Sequence, residues 1–159
     1  MVAFTFVLLY MLIKQKLYNL CHAYLDNNIQ NAEAVIADAR EAARNETKSS
    51  AGDKYETARE MMQQDIDLNN ARLLQLRRQI DVLDRIVIDK TSDIIIPGSI
   101  VRTTQANYFI AISAGKLLVD EQTYYAISID SPLGAQLKGK KAGDEFIIKG
   151  KKGTISDVL

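Results

Sequence analysis

The chain has 159 residues, 47% of them hydrophobic and 25% charged, with twenty basic and twenty acidic side chains in balance. That length holds one ordinary domain or two small ones. A net charge of zero excludes wholesale coating of a nucleic-acid backbone, which needs a basic surplus to displace counterions.

Residues 1–13, MVAFTFVLLYMLI, carry no charge. The run is shorter than the roughly 20 apolar residues of a membrane-spanning helix. It also lacks the leading basic residue and the small-residue cleavage site of a signal peptide. A helical pattern begins near Met11, so residues 1–10 are read as an apolar extension lying upstream of the true start. A short membrane-associating or partner-binding extension is the alternative.

From 12 to 44 the spacing predicts a helix. Leu17, Leu20, Tyr24, Ile29, Ala32, Ile36, Ala39 and Ala43 step by three, four or five and form an apolar stripe, with no proline or glycine in the way. The lone cysteine, Cys21, cannot close an internal disulfide, which points to a reducing compartment, the cytoplasm. Its neighbour is the only histidine, His22. Adjacent helical residues point about 100° apart, so the two are read as a half-buried pair on a helix face rather than a catalytic dyad. Zinc needs more ligands than this chain offers at sensible spacing.

Residues 45–52, NETKSSAG, make a polar turn, after which Asp53 is placed to cap a second helix over 53–89. Its stripe is Tyr55, Ala58, Met62, Ile66, Leu73, Leu76, Ile80, Leu83 and Val87, weakened in the middle by Asn69 and Asn70. Two such helices joined by a short turn predict an antiparallel hairpin, a long shape that suits a probe better than a closed active site.

After a linker at 91–97 the period changes. Short runs rich in Ile, Val, Tyr and Thr predict strands at 99–103, 108–113, 117–119, 124–129, 145–148 and 154–158, with one short helix or turn at 132–138. The chain is therefore expected to be α+β, a helical hairpin over 11–90 with its tip at 45–53, followed by a small antiparallel sheet domain over 98–159.

The segment ISIDSPLGAQLKGKKAGDEF, residues 127–146, resembles the C-terminal signature of the bacterial Gre transcript-cleavage and elongation factors: strand, Ser-Pro, short helix, Gly-Lys, Gly-Asp turn, strand. Ala39-Arg40-Glu41 before the turn and the run from Asp53 to Glu60 after it resemble the hairpin of that family. The order of parts agrees, and the resemblance covers nearly the whole chain from Met11. It implies an FKBP-like C-terminal domain that docks at the rim of the RNA polymerase secondary channel, with the hairpin inserted toward the active centre. In the cleavage factors, tip carboxylates help hold a second Mg²⁺ shared with the polymerase, because a loosely bound ion needs extra oxygen ligands.

At the tip the pattern departs from the family. Aligning Tyr55 with the family tyrosine puts Lys48 and Ala51 where the essential acidic pair belongs. Glu46 and Asp53 flank the turn and are the candidate replacements; their structural alternatives are a solvated helix end and a helix cap. Through the resemblance, Ser131, Pro132, Leu133 and Gly134 are the candidate docking loop; otherwise they are a strand-to-helix turn. Lys138, Lys140 and Lys141, with Lys149, Lys151 and Lys152, form a basic tract suited to an acidic protein surface, or simply a solvated face.

The expectation is a cytoplasmic monomer that is not itself an enzyme. It carries no intrinsic cofactor, binds no membrane, and meets DNA or RNA only through the polymerase. Two alternatives stay open: a channel-occupying regulator without cleavage activity, and an FKBP-like isomerase or holdase with a coiled-coil arm. The second is disfavoured because a proline-binding pocket needs a cluster of aromatics, and the C-terminal domain has only Tyr108, Phe109, Tyr124, Tyr125 and Phe146, most of them in strand-core register.

Overall fold

The computed structural model describes the backbone of residues 2–46 and 52–159, with side chains from Val7 to Asn45 and from Gly52 onward. The chain is α+β, with helices α1 (Val2–Glu46) and α2 (Asp53–Asp84) followed by a sheet domain. That domain holds strands β1 (Ile100–Thr103), β2 (Asn107–Ala111), β3 (Gly115–Val119) and β4 (Gln122–Ser128), helix α3 (Pro132–Leu137), and strands β5 (Glu145–Ile148) and β6 (Lys151–Val158). Two compact units emerge: Met1–Tyr24 with Asp81–Leu159, and Leu25–Ile80. The division runs through both helices rather than at the 91–97 linker, because the bases of α1 and α2 pack with the sheet domain.

In the Leu25–Ile80 unit, Ala32 and Ile36 of α1 pack with Ile66 and Leu73 of α2, flanked by Ile29 and Ala39. Asn28 meets Arg72, whereas Arg40 and Arg44 share a groove with Arg59 and Met62, so the two helices run antiparallel. Arg72 Nη2 donates to Asn28 Oδ1 at 2.7 Å, and Asn69 Nδ2 returns to the Asp65 carbonyl at 2.8 Å. The half-buried Asn69 is therefore satisfied within its own helix, at the weak point that the sequence pattern marks.

The first part of the α1 stripe needs correction. Leu20 and Tyr24 are exposed, while Leu17, Cys21 and Leu25 are wholly buried. The seam steps by four here, and a free thiol serves as a small hydrophobe within it. Residues 2–10, set apart in the sequence reading, are helical and continuous with α1. The guanidinium of Arg102, on β1, lies 5.1 Å from the centre of the Tyr10 ring. Val7, Leu8, Leu9, Met11 and Leu12 are left exposed. Among the described residues no helix is long and apolar enough to cross a membrane.

The second helix ends at Asp84, five residues earlier than its periodicity suggests. The Ile86 amide donates to the Leu83 carbonyl at 3.0 Å, tightening the last turn and swinging the chain out of the helical period. Ile86 is buried as a result, and Val87, assigned to the stripe, is 59% exposed. A β-carbon on Gly98 would stand 2.9 Å from Ile86 Cγ2, so this glycine, at φ 94°, lets the linker pass close to Ile86.

The sheet order is β3-β4-β2-β1-β6-β5. All neighbours are antiparallel except β2 and β4, which run parallel with Tyr108 beside Tyr125 and Ile110 beside Ile127. The sheet is therefore mixed, not purely antiparallel as expected. The cause lies in the β3–β4 hairpin, whose two-residue turn Asp120-Glu121 has positive φ at both positions, as a type I′ turn requires. This tight hairpin folds β4 back between β3 and β2, where it can only run alongside β2.

Strand alternation divides the core. Tyr108 and Ile110 face one side with Ile95, Val101, Leu137, Phe146 and Ile155, under α3. Phe109, Ile100, Tyr124 and Ala126 face the other side and are also buried. The base of α1 meets that second side, through Tyr10 over Arg102 and a 2.6 Å contact from Lys16 Nζ to Asp120 Oδ1 in the β3–β4 turn.

Candidate partner-binding surfaces

The docking loop assigned by resemblance is built as a helix start. Ser131 is the N-cap of α3, with extended backbone, and its Oγ accepts from the Gly134 amide at 3.0 Å. The same hydroxyl donates to the Ser128 carbonyl at 2.7 Å, so both of its functions are used. Pro132 occupies the first turn, where a missing N–H costs nothing. Leu133 packs against the α3-side core. Gly134 is buried, and a β-carbon there would lie 2.0 Å from the Ser128 carbonyl oxygen. Three of the four residues thus explain themselves as the joint between β4 and α3, and only Pro132 presents its surface to solvent.

The following turn has the same character. The Asp144 amide donates to the Lys141 carbonyl at 3.1 Å, and the Lys141 amide donates to Asp144 Oδ2 at 2.9 Å. Gly143, at φ 92°, occupies the third position, as a type II turn demands. The Ile95 amide donates to the Lys140 carbonyl at 2.8 Å, tying the linker to this turn. Lys138 and Lys141 are exposed and Lys140 is half-buried. Lys152 Nζ stands 2.7 Å from Glu145 Oε2 on the neighbouring strand, which partly neutralises the tract. Gln136 Oε1 accepts from the Ile147 amide at 3.1 Å, so α3 caps part of the otherwise free edge of β5.

The Glu46 side chain and residues 47–51, including Lys48 and Ala51, lie outside the described residues. Asp53 does not cap α2. The Gly52 carbonyl accepts from Glu56 at 3.4 Å and from Tyr55 at 2.9 Å, which makes Gly52 the cap and Asp53 the first helical residue. There its exposed carboxylate complements the positive end of the helix. Among the described residues no group of three His, Cys, Asp or Glu side chains is arranged to hold a metal ion.

The two Ala-Arg-Glu runs meet. Arg40 of α1 and Arg59 of α2 line one groove with Arg44, a convergence that linear spacing gives no means of seeing. Cys21 is wholly buried, and burial pushes its thiol up to about 12. His22 turns outward instead, with Nε2 3.2 Å from Asp84 Oδ1 and its ring edge-on to Tyr18 at 4.8 Å between centres. Tyr108 and Tyr124 are buried, and burial, then the neighbouring Tyr125, raises the Tyr108 phenol above its usual range. Tyr108 also meets Phe146 edge-on at 6.4 Å, a packing geometry. Compared with known protein families the chain matches none, and no curated protein is significantly similar to it.

Proposed function

We propose that this protein binds RNA polymerase in the manner of the Gre factors, with the hairpin in the secondary channel and the sheet domain at its rim. The observation that carries the reading is the way the 127–146 signature lies on the fold: β4, a Ser-capped α3, a Gly-Asp turn and β5 follow in the order that the resemblance implies. The helical pair precedes it, as in that family. Docking falls to the groups that remain exposed around α3, namely Pro132, Lys138 and Lys141. The protein works in the cytoplasm, where the polymerase is.

Occupancy of the channel without transcript cleavage is the favoured form of this reading. Lys48 and Ala51 stand where the cleavage factors carry their acids. The described residues beside the turn offer Asp53 and Glu56 as carboxylates, which do not by themselves make a Mg²⁺ site. Retention on immobilised core polymerase, lost in a Lys138→Glu/Lys141→Glu double variant, is the expected result. A backtracked elongation complex then reports on cleavage through its RNA 3′ end. Absence of polymerase binding at micromolar protein refutes the proposal. Cleavage that disappears in Glu46→Ala or Asp53→Ala replaces the favoured form with the catalytic one.

A further inference from the structure

Within the Leu25–Ile80 unit, Arg40 and Arg44 stand one turn apart on α1, and Arg59 joins them from α2 around a groove of about 410 Å³. Met62 and Ile66 supply its apolar lining. Asp67 is the one acid on its wall among the described residues, and its carboxylate already accepts from Gln63 Nε2 at 2.9 Å.

Of the other arginines of the unit, Arg72 reaches Asn28 and Arg77 Nη2 lies 4.0 Å from Glu33 Oε1, while Arg78 stands alone among the described residues and exposed on α2. Arg40 and Arg59 make no ion pair or hydrogen bond among the described residues. Like charges one helical turn apart repel by a few tenths of a kcal/mol, roughly the reverse of a favourable pair. A groove that gathers three such groups and leaves two unpaired is suited to an anion.

We propose that this groove binds the phosphate groups of a free nucleotide, held by the guanidinium groups of Arg40, Arg44 and Arg59. Guanidinium forks match phosphate oxygens two at a time, and three of them suit a di- or triphosphate better than a single carboxylate. The groove falls in the size range of small-molecule sites, and its exposed lining is mostly polar, as a phosphate group requires. A chain of zero net charge makes this a local site, not part of an extended polymer track. The inference is independent of polymerase binding and is read on the isolated chain.

Calorimetric titration of the full chain at low ionic strength, with ATP, GTP, inorganic pyrophosphate and a hexaribonucleotide lacking a 5′-phosphate, tests it. Saturable one-to-one binding of a nucleoside triphosphate below about 1 mM is expected, with competition by pyrophosphate. Arg40→Ala or Arg59→Ala should weaken it at least about tenfold, and Arg59→Lys less, since charge remains but the fork is lost. Arg78→Ala, an exposed change on α2 outside the groove, should leave it unchanged. Side-chain NMR of the unmodified protein provides a readout that needs no variant: pyrophosphate should shift the Nε signals of Arg40 and Arg59 and spare Arg78. Lack of saturation, an equal loss in Arg78→Ala, uniform shifts of all arginines, or tighter binding of the hexanucleotide without pyrophosphate competition each overturns the proposal.

Discussion

Replacing Gly134 by alanine sets helix propensity directly against packing. On an exposed helix the change would stabilise by about 1 kcal/mol, since glycine is the poorest helix former after proline. Here the new β-carbon would meet the Ser128 carbonyl oxygen at 2.0 Å and Ile129 Cα and carbonyl carbon at 2.9 Å. All three are backbone atoms, so no rotamer change relieves the contact. The gap must open by about 1.4 Å, from 2.0 Å to the 3.4 Å at which ordinary contact begins. Such a movement stretches the Ser131 hydroxyl and amide bonds to Ser128, now 2.7 and 3.0 Å, each worth about 1 kcal/mol. With overpacking of roughly 1–3 kcal/mol added and the propensity gain deducted, the net loss is about 2–4 kcal/mol. Urea unfolding followed by circular dichroism measures it. Ala135→Gly, on the exposed side of the same helix, serves as the propensity control and should cost about 1 kcal/mol. A Gly134→Ala protein as stable as the parent would refute the claim that this glycine exists to let α3 approach β4.

Glu121→Gly should stabilise by a few tenths of a kcal/mol, roughly, because Glu121 holds φ 64° in the β3–β4 turn; a thermal melt that moves downward contradicts the turn assignment. Cys21 should resist alkylation at pH 8 until the chain unfolds, since its thiol is buried and pushed up to about 12. Because the unfolded thiol ionises near 9 and the folded one does not, its contribution to stability should fall by about 1 kcal/mol per pH unit above 9; Cys21→Ala should flatten that decline, and an unchanged slope would refute it. Leu17→Ala, at a wholly buried position, should cost about 2–5 kcal/mol, whereas Leu12→Ser, 55% exposed, should change stability by less than about 0.5 kcal/mol. Equal effects of these last two in the same denaturant series would show that the N-terminal part of α1 is covered.

Much of the candidate docking region was legible before the fold was known. Ser-Pro followed by a short apolar run is a helix start whatever surrounds it, because an N-cap hydroxyl and a proline at the first turn satisfy local backbone needs. What the motif did not disclose is that Gly134 is imposed by β4, two elements of structure meeting at a carbonyl oxygen. The arginine groove was illegible for a related reason. Arg40 and Arg59 lie on different helices, and only the register of α1 against α2 brings them together.

The sequence by itself determined the elements whose causes are local: two amphipathic helices, six short strands, and a capped helix between the fourth and fifth. Periodicity, capping residues and turn chemistry act within a few residues and are readable in one dimension. Tertiary structure decided the rest. It inserted β4 beside β2 in parallel, ended α2 at Asp84 so that Ile86 rather than Val87 is buried, and laid the start of α1 against Arg102. Each of these depends on which distant surfaces exclude water together, and apolar burial is non-directional. A stripe of hydrophobic residues states that something will be covered, and only the packed chain states by what.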